Sequence, residues 1–388
     1  MHIFLITRHY PPEISGGARR PSLYTQALRG LGHRVTLITP FKLDDPDSVT
    51  IENRAITRGI RALQNLPADA SSENIISLMK VNLRIWVYWP DENIRWIQSV
   101  VSTIKQQGIK PDWIMTTSPP ESTHIAGRKL SAHFGVPWIA ELRDTWIEAP
   151  HRIILAKSKF RAFVERRIAK HVLKSATAVT AVSEAVMSEA RMYISPGTPE
   201  CIIDHFSDQP PAPYNFDSSK LNLVHTGGFT LSDRRRTLPP LLKTLDEIHA
   251  KWPNMVFHIA GPLSSNEVDM IEKSQTPVKW HGPVELSKAR ALQAGADGLV
   301  LCTPKNSHAL PGKYAEYALS GRPVFYTGSG KWLSLVNKSI EIYPLETGFL
   351  DPKTITDTRP KRGLTNLEAA KILAEFLKSV ASGVRQVD

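Results

Sequence analysis

Residues 113–142 read WIMTTSPPESTHIAGRKLSAHFGVPWIAEL, and this stretch decides the fold. Trp113–Thr117 is a short apolar run, Ser122–Phe134 is a helical stretch, and Trp138–Leu142 is a second apolar run. Strands buried on both faces of a sheet read as continuous apolar runs, so the pattern predicts strand, helix, strand in parallel. Pro119 and Pro120 fall where the first strand must end.

The same rhythm extends outward. Upstream, His2–Thr7 and Arg34–Thr39 read as strands, with a helix over Pro21–Leu31. Downstream, Ala178–Val182 is a strand followed by a helix opening at Ser183-Glu184. Ser207–Lys220, rich in proline and polar residues, breaks the pattern and has the composition of a linker. A second alternation follows, with strands at Leu221–Thr226, Val256–Ala260, Val278–His281, Gly298–Cys302 and Val324–Tyr326. The last helix spans about Asn366–Val380, with Leu367, Ala370, Ile372, Leu373, Phe376 and Leu377 on one side. The expected architecture is α/β: two Rossmann-like doubly wound parallel-sheet domains facing across a cleft. The expected bounds are 1–206 for the first domain, 207–220 for the linker and 221–364 for the second domain. A C-terminal helix within 365–388 is expected to pack back on the first.

The 388 residues suffice for two domains with real cores. No run of 18 or more apolar residues exists, so no transmembrane helix is expected. The apolar start at His2 is too short for a signal-peptide core. Cys201 and Cys302 make neither a disulfide framework nor a metal site, which suits a reducing cytosol. The net charge of +11 calls for an anionic partner. Residues 152–174 hold eight Lys/Arg against one acid, Glu165. There Phe160, Val164, Ile168 and Val172 recur at period four beside a row of Arg166, Lys170 and Lys174. This reads as an amphipathic basic helix that docks on an anionic membrane surface through Lys159, Arg166, Arg167, Lys170 and Lys174, or as a core-facing helix with a solvated basic face. Trp86, Trp89 and Trp96 read either as a further interfacial aromatic anchor or as ordinary packing.

In doubly wound sheets ligands bind beyond the carboxyl ends of strands. The loop after the first strand carries Gly16-Gly17 and leads into a helix, which lets backbone amides approach an anion. The loop after the first strand of the second domain repeats this with Gly227-Gly228, followed by Arg234-Arg235-Arg236. Fixed cations there suit a diphosphate. The third motif runs from His308 to Val324, with Pro311-Gly312 opening a helix and Lys313 and Glu316 in its first turn. An ionised Glu316 can accept hydrogen bonds from a ribose diol. On the first domain, Asp144, Glu148 and His124 sit on loops after strands, Asp144 either orienting a sugar or pairing with a base such as Arg143.

The His308–Val324 segment resembles the nucleotide-sugar motif of glycosyltransferase family 4, in its variant ending P-x-K-x-x-E-Y-x-x-x-G-x-P-V. Four further pieces resemble that family in the expected order. They are Tyr10-Pro11-Pro12 with Gly16-Gly17, Pro137–Trp146, Ala181–Glu184, and Gly295-Ala296-Asp297 before Leu299–Leu301. Pro137–Trp146 is similar to an element of bacterial exopolysaccharide members. The resemblance implies a GT-B fold and retaining transfer from a nucleotide-diphosphate sugar, with UDP expected, to a glycan or lipid-linked acceptor. It implies no cofactor and no metal. Glu316 would bind the ribose; Arg235, Arg236 and Lys313 would hold the diphosphate; His308, Leu310, Pro311 and Gly312 would line the donor site with the Gly-Gly loops. Asp144 would orient a sugar, and His124, Arg143 and Glu148 would stand on the acceptor side.

The chain departs from the family pattern at three places. His308 stands where the first Glu of Glu-x7-Glu is usual, Arg143 where many members have His, and His205-Phe206 where Asn-Gly is usual. The other classes weighed are a GT-B epimerase or hydrolase of nucleotide sugars and a non-catalytic nucleotide-binding protein. No nucleic-acid module is visible, and the expected location is cytoplasmic, peripheral at the inner face of the plasma membrane.

Overall fold

The structure is a computed structural model. It describes residues 1–13, 16–53, 86–147, 158–207, 211–231, 236–304, 311, 313–330, 332–333, 342–346, 349 and 364–383. The chain divides into two compact units: Met1–Asp204 with Leu367–Asp388, and His205–Asn366.

In the first unit the strands are β1 (His2–Ile6), β2 (Arg34–Thr39), β3 (Ser48–Thr50), β4 (Trp113–Ser118), β5 (Trp138–Leu142), β6 (Ala178–Ala181) and β7 (Glu200–Ile202). They form one sheet in the order β3-β2-β1-β4-β5-β6-β7, and every pairing is parallel. The helices between them are α1 (Gly16–Gly30), α2 (Ile94–Gln107), α3 (Thr123–Phe134), α4 (Lys159–Leu173) and α5 (Glu184–Ala190). Every residue of β4 and β5 is buried, as central parallel strands require. Trp96, Ile97, Val100 and Ile104 of α2 and Ala126 and Leu130 of α3 close the core over Ile114, Trp138 and Ala140. Glycines in the left-handed region end α2 and α3 at Gly108 and Gly135.

Helix α1 begins at Gly16, five residues before the expected start at Pro21. Proline inside a helix leaves the carbonyl four residues back without its amide partner. Here that carbonyl belongs to Gly17, and the Arg143 guanidinium donates to it at 2.6 Å. The helix therefore runs through Pro21 with its orphan acceptor satisfied.

The second unit contains β8 (Phe206–Ser207), β9 (Leu221–Thr226), α6 (Leu238–His249), β10 (Met255–Ala260), α7 (Ser265–Glu272), β11 (Val278–Trp280), α8 (Leu286–Gly295), β12 (Gly298–Cys302), α9 (Tyr314–Ser320), β13 (Val324–Thr327), β14 (Ile342–Pro344) and β15 (Leu364–Thr365). Its sheet has the parallel order β11-β10-β9-β12-β13-β14. β8 and β15 pair with each other in parallel. The expected linker is structured at its described end. The Tyr214 amide donates to Ala291 O at 2.8 Å, and Phe216 packs on the His258 ring with centroids 4.6 Å apart. The unit boundary falls at 204/205 instead. The C-terminal helix, α10 (Asn366–Ala381), joins the first unit from Leu367 onward and buries Ala370, Leu373, Phe376 and Leu377, while Leu367 is exposed. Among the described residues no helix is long and apolar enough to cross a membrane.

The contact between α3 and β5 leaves no room at Gly127. A Cβ there would lie 2.1 Å from Trp138 Nε1. Gly127→Ala is expected to cost about 1–3 kcal/mol through overpacking, despite alanine's better helix propensity. Urea unfolding checks it; an unchanged midpoint would mean that Trp138 yields freely.

Candidate functional site

In both sheets the strand order reverses direction beside the first strand, between β1 and β4 and between β9 and β12. Loops diverge at such switch points and leave a crevice for ligand.

In the second unit, Gly227 adopts φ +121°, a conformation that side-chain-bearing residues rarely take. Its amide donates to Ala260 O at 2.8 Å. Its carbonyl lies against Gly261, where a Cβ would sit 2.3 Å away. Phe229 is fully buried and stacks on His225 at 4.5 Å between centroids. The Thr226 amide donates to Tyr317 Oη at 2.9 Å, which ties the turn to α9.

Glu316 lies in the first turn of α9 and is 8% exposed. Its Oε2 accepts from Lys313 Nζ at 3.1 Å and from Gln293 Nε2 at 3.2 Å. The same Gln293 amide donates to Thr226 Oγ1 at 2.7 Å. One side chain from α8 thus links the carboxylate to the glycine turn. A Cβ on Gly227 would lie 3.8 Å from Lys313 Cε and 3.9 Å from His225 Nε2, so the turn, the cation and the histidine converge.

His225 Nδ1 is 2.8 Å from Val300 O, which can only accept, so Nδ1 carries the proton. Burial pushes the ring down to about 4, and Arg236 and Lys313 add to the shift. The ring is neutral near pH 7, with Nε2 an acceptor buried beside the turn. Arg236 also acts electrostatically on Cys302 at the end of β12. Lys313 stands beside the turn after β9, and the charge of Arg236 reaches His225 and Cys302 at the ends of β9 and β12.

Gly227, Gly228, Arg236, Lys313, Pro311 and Glu316 from the sequence analysis all fall in this neighbourhood. Pro311 O accepts from the Tyr314 amide at 2.9 Å as α9 begins. Arg235, His308, Leu310, Gly312 and Glu148 lie outside the described residues. His225, Gln293 and Tyr317 were not singled out from sequence. The spacing of Gln293 could not reveal that α8 delivers it to α9.

In the first unit, two of the residues singled out from sequence are buried. His124, expected on the acceptor side, is a core residue with no exposed surface. Trp138 Nε1 donates to Thr116 Oγ1 at 2.8 Å, and that hydroxyl sits 2.8 Å from His124 Nδ1. Burial, reinforced by Arg143, pushes His124 down to about 3. Arg143, also expected beside the acceptor, spends its guanidinium on backbone carbonyls. It donates to Gly17 O at 2.6 Å, Ser118 O at 2.7 Å and Pro119 O at 3.1 Å. It holds the loops after β1 and β4 together. Asp144 is half-buried next to it and acts on it electrostatically. Gly16 opens α1, and Gly17 supplies the carbonyl that Arg143 holds. The loop after β1 also carries a charged cluster. Glu13 takes a hydrogen bond from Arg8 Nη1 at 3.3 Å and lies 3.1 Å from His9 Nδ1.

Two parallel, doubly wound units built in this way define the GT-B fold, that of a large class of glycosyltransferases. Residues 15–203 match the family model described as glycosyl transferase 4-like domain. Three solved structures share the architecture over nearly the whole chain. Sucrose-phosphate synthase from Thermosynechococcus elongatus superposes with TM-score 0.59 at 14% identity, covering 100% of this chain and 98% of that one. A Listeria monocytogenes protein described as a UDP-N-acetylglucosamine 2-epimerase gives 0.58 at 10% identity, covering 98% and 97%. Anabaena HepE in complex with UDP and glucose gives 0.54 at 14% identity, covering both chains completely. No curated protein matches by sequence. At such identities the structures establish the fold, and residues 15–203 are similar to the glycosyl transferase 4-like domain.

His124 gives a pH signature. Its folded pKa of about 3 lies below the unfolded value near 6.5, so its neutral burial stabilises fully above pH 6.5. That contribution is lost as pH falls from 6.5 towards 3. Melting temperatures across this window should fall less steeply for His124→Gln than for the native chain, though the variant starts lower. Parallel curves would exclude a neutral buried imidazole.

Proposed function

We propose that the protein is a retaining glycosyltransferase that moves a sugar from a UDP-sugar to a glycan or lipid-linked acceptor in bacterial polysaccharide assembly. The observation that carries this reading is the buried Glu316, fixed by Gln293 and Lys313 beside the Gly227 turn and its cations. A carboxylate held in one position accepts two hydrogen bonds from a ribose diol without reorganising. Arg236 and Lys313 face the diphosphate, whose charge grows as the glycosidic bond breaks. Cations already in place stabilise that charge more in the transition state than in the ground state. The amides of the glycine turn add dipoles at the same point. The departing phosphate itself then takes the proton of the incoming hydroxyl, so no protein nucleophile is invoked. The first unit supplies the acceptor side, with Asp144 orienting a sugar.

HepE is solved with UDP and glucose, which supports a uridine donor here. The similarity of Pro137–Trp146 to exopolysaccharide enzymes supports the polysaccharide assignment, and the unpaired Cys201 and Cys302 suit work in the cytoplasm. The epimerase-like fold match raises a second reading, proton transfer at the sugar. That chemistry needs an acid and a base within reach of one carbon. His225, with Nδ1 committed to Val300 and its ring neutral, offers one acceptor only.

Two outcomes test the proposal. UDP should raise the melting temperature of the native chain more than GDP or dTDP, and Glu316→Ala should weaken UDP binding by roughly 10–100-fold, about 1.5–3 kcal/mol. Undiminished binding would remove Glu316 from the nucleoside site. Because Arg236 and Lys313 neutralise the leaving group, transfer should persist in excess chelator. Activity abolished by chelator and restored by a divalent metal would overturn that assignment.

A further inference from the structure

Helix α4 carries an exposed face that sugar transfer does not use. At about 100° per residue, Phe160, Phe163 and the cations Lys159, Arg166, Arg167, Lys170 and Lys174 fall within an arc of roughly 120°. All seven are exposed, Phe160 at 64% and Phe163 at 50%. Of the apolar row at period four, Phe160 is exposed, while Val172 is buried and Ile168 packs against the core. The packed side runs through Arg161, Glu165, Ala169 and Val172. Glu165, the only acid of the helix, is buried and accepts from Arg161 Nε at 2.6 Å. The outer arc is therefore purely cationic and aromatic.

A second segment extends this face. Trp86 is 40% exposed and Val87 58%. The Trp86 ring stacks on Phe160 with centroids 6.3 Å apart and planes 22° apart. Arg161 fixes the junction from beneath. Its guanidinium lies 4.3 Å over the Trp89 ring, and its Nη2 donates to Pro90 O at 2.9 Å. Trp89 Nε1 in turn donates to Trp86 O at 2.9 Å. Arg167 covers one face of Phe163 at 4.7 Å.

Single exposed apolar residues need no explanation, but contiguous aromatics ringed by cations on a convex face do. We infer that Trp86, Val87, Phe160 and Phe163, with the five cations of α4, form a docking surface for an anionic lipid bilayer. The aromatics enter the headgroup layer, and the cations meet lipid phosphates. A single-stranded nucleic acid would want a groove that tracks its backbone, whereas these side chains project from a convex helix. The surface is assigned independently of the sugar-transfer reading.

Sedimentation of the full chain with phosphatidylglycerol-containing vesicles tests it. Binding is expected there, is absent on pure phosphatidylcholine vesicles, and falls as salt rises from about 0.1 to 0.5 M. The triple variant Arg166→Glu, Lys170→Glu, Lys174→Glu should lose at least about a hundredfold in binding. The double variant Phe160→Ser, Phe163→Ser should lose about tenfold. Failure of the native chain to bind, equal binding to both vesicle types, or variants that bind undiminished would each overturn the inference. So would displacement from vesicles by equimolar single-stranded DNA, which would make the face a nucleic-acid site. Stabilisation by UDP should be the same in all these variants, which separates failure of docking from failure of the donor site.

Discussion

The first unit hangs on one buried guanidinium. Pro21 removes the amide that Gly17 O would ordinarily receive, and Arg143 fills the gap while also gripping Ser118 O and Pro119 O. A single planar fork therefore ties the start of α1 to the loop after β4, across the switch point of the sheet. Burying a charge is costly, and desolvation lowers the Arg143 pKa accordingly. Three carbonyl dipoles and the nearby charges of Glu141 and Asp144 offset that cost. Arg20 acts one layer away in the same manner, joining Glu141, Tyr24 and the carbonyls of Ile203 and Asp204. The two arginines hold the loop-bearing end of the sheet by polar contacts, where apolar packing alone would leave backbone groups unpaired.

The second unit solves the same problem with neutral groups. Gln293 donates to both Thr226 and Glu316, and Tyr317 receives the Thr226 amide. The turn after β9 and the carboxylate of α9 are thereby fixed relative to each other before any ligand arrives. Catalytic sites gain from such preorganisation, because dipoles that are already oriented need no rearrangement as charge develops. His225 contributes by being uncharged: its cationic neighbours and its burial both oppose protonation, so it adds no further positive charge to that of Arg236 and Lys313.

The alternation of apolar runs and helical stretches made both sheets legible, because central parallel strands are apolar throughout. The short outer strands β3, β7 and β14 left no such signal, with three residues each and side chains partly in solvent. Pro21 misled because proline is common at the first helical position, and only the distant Arg143 makes an earlier start possible. The prolines of Ser207–Lys220 imitated a free linker, although Tyr214 and Phe216 are packed. At the candidate site the sequence carried the glycines, Lys313 and Glu316, since their residue types state their chemistry. It did not carry Gln293 or His225, whose roles arise from contacts between elements far apart in the chain. The burial of His124 and Arg143 was not legible either, because both follow strands whose loops the sequence reads as exposed.

The chain passes from the first unit to the second at 204/205 and returns at 366/367. The two crossings lie side by side, joined by the ladder of β8 and β15. The first unit is therefore assembled from two stretches far apart in sequence: Phe376 and Leu377 are buried in it although the whole second unit separates them from Asp204. Docking that helix closes a loop as long as the second unit, and the entropic cost of such closure grows only slowly with loop length.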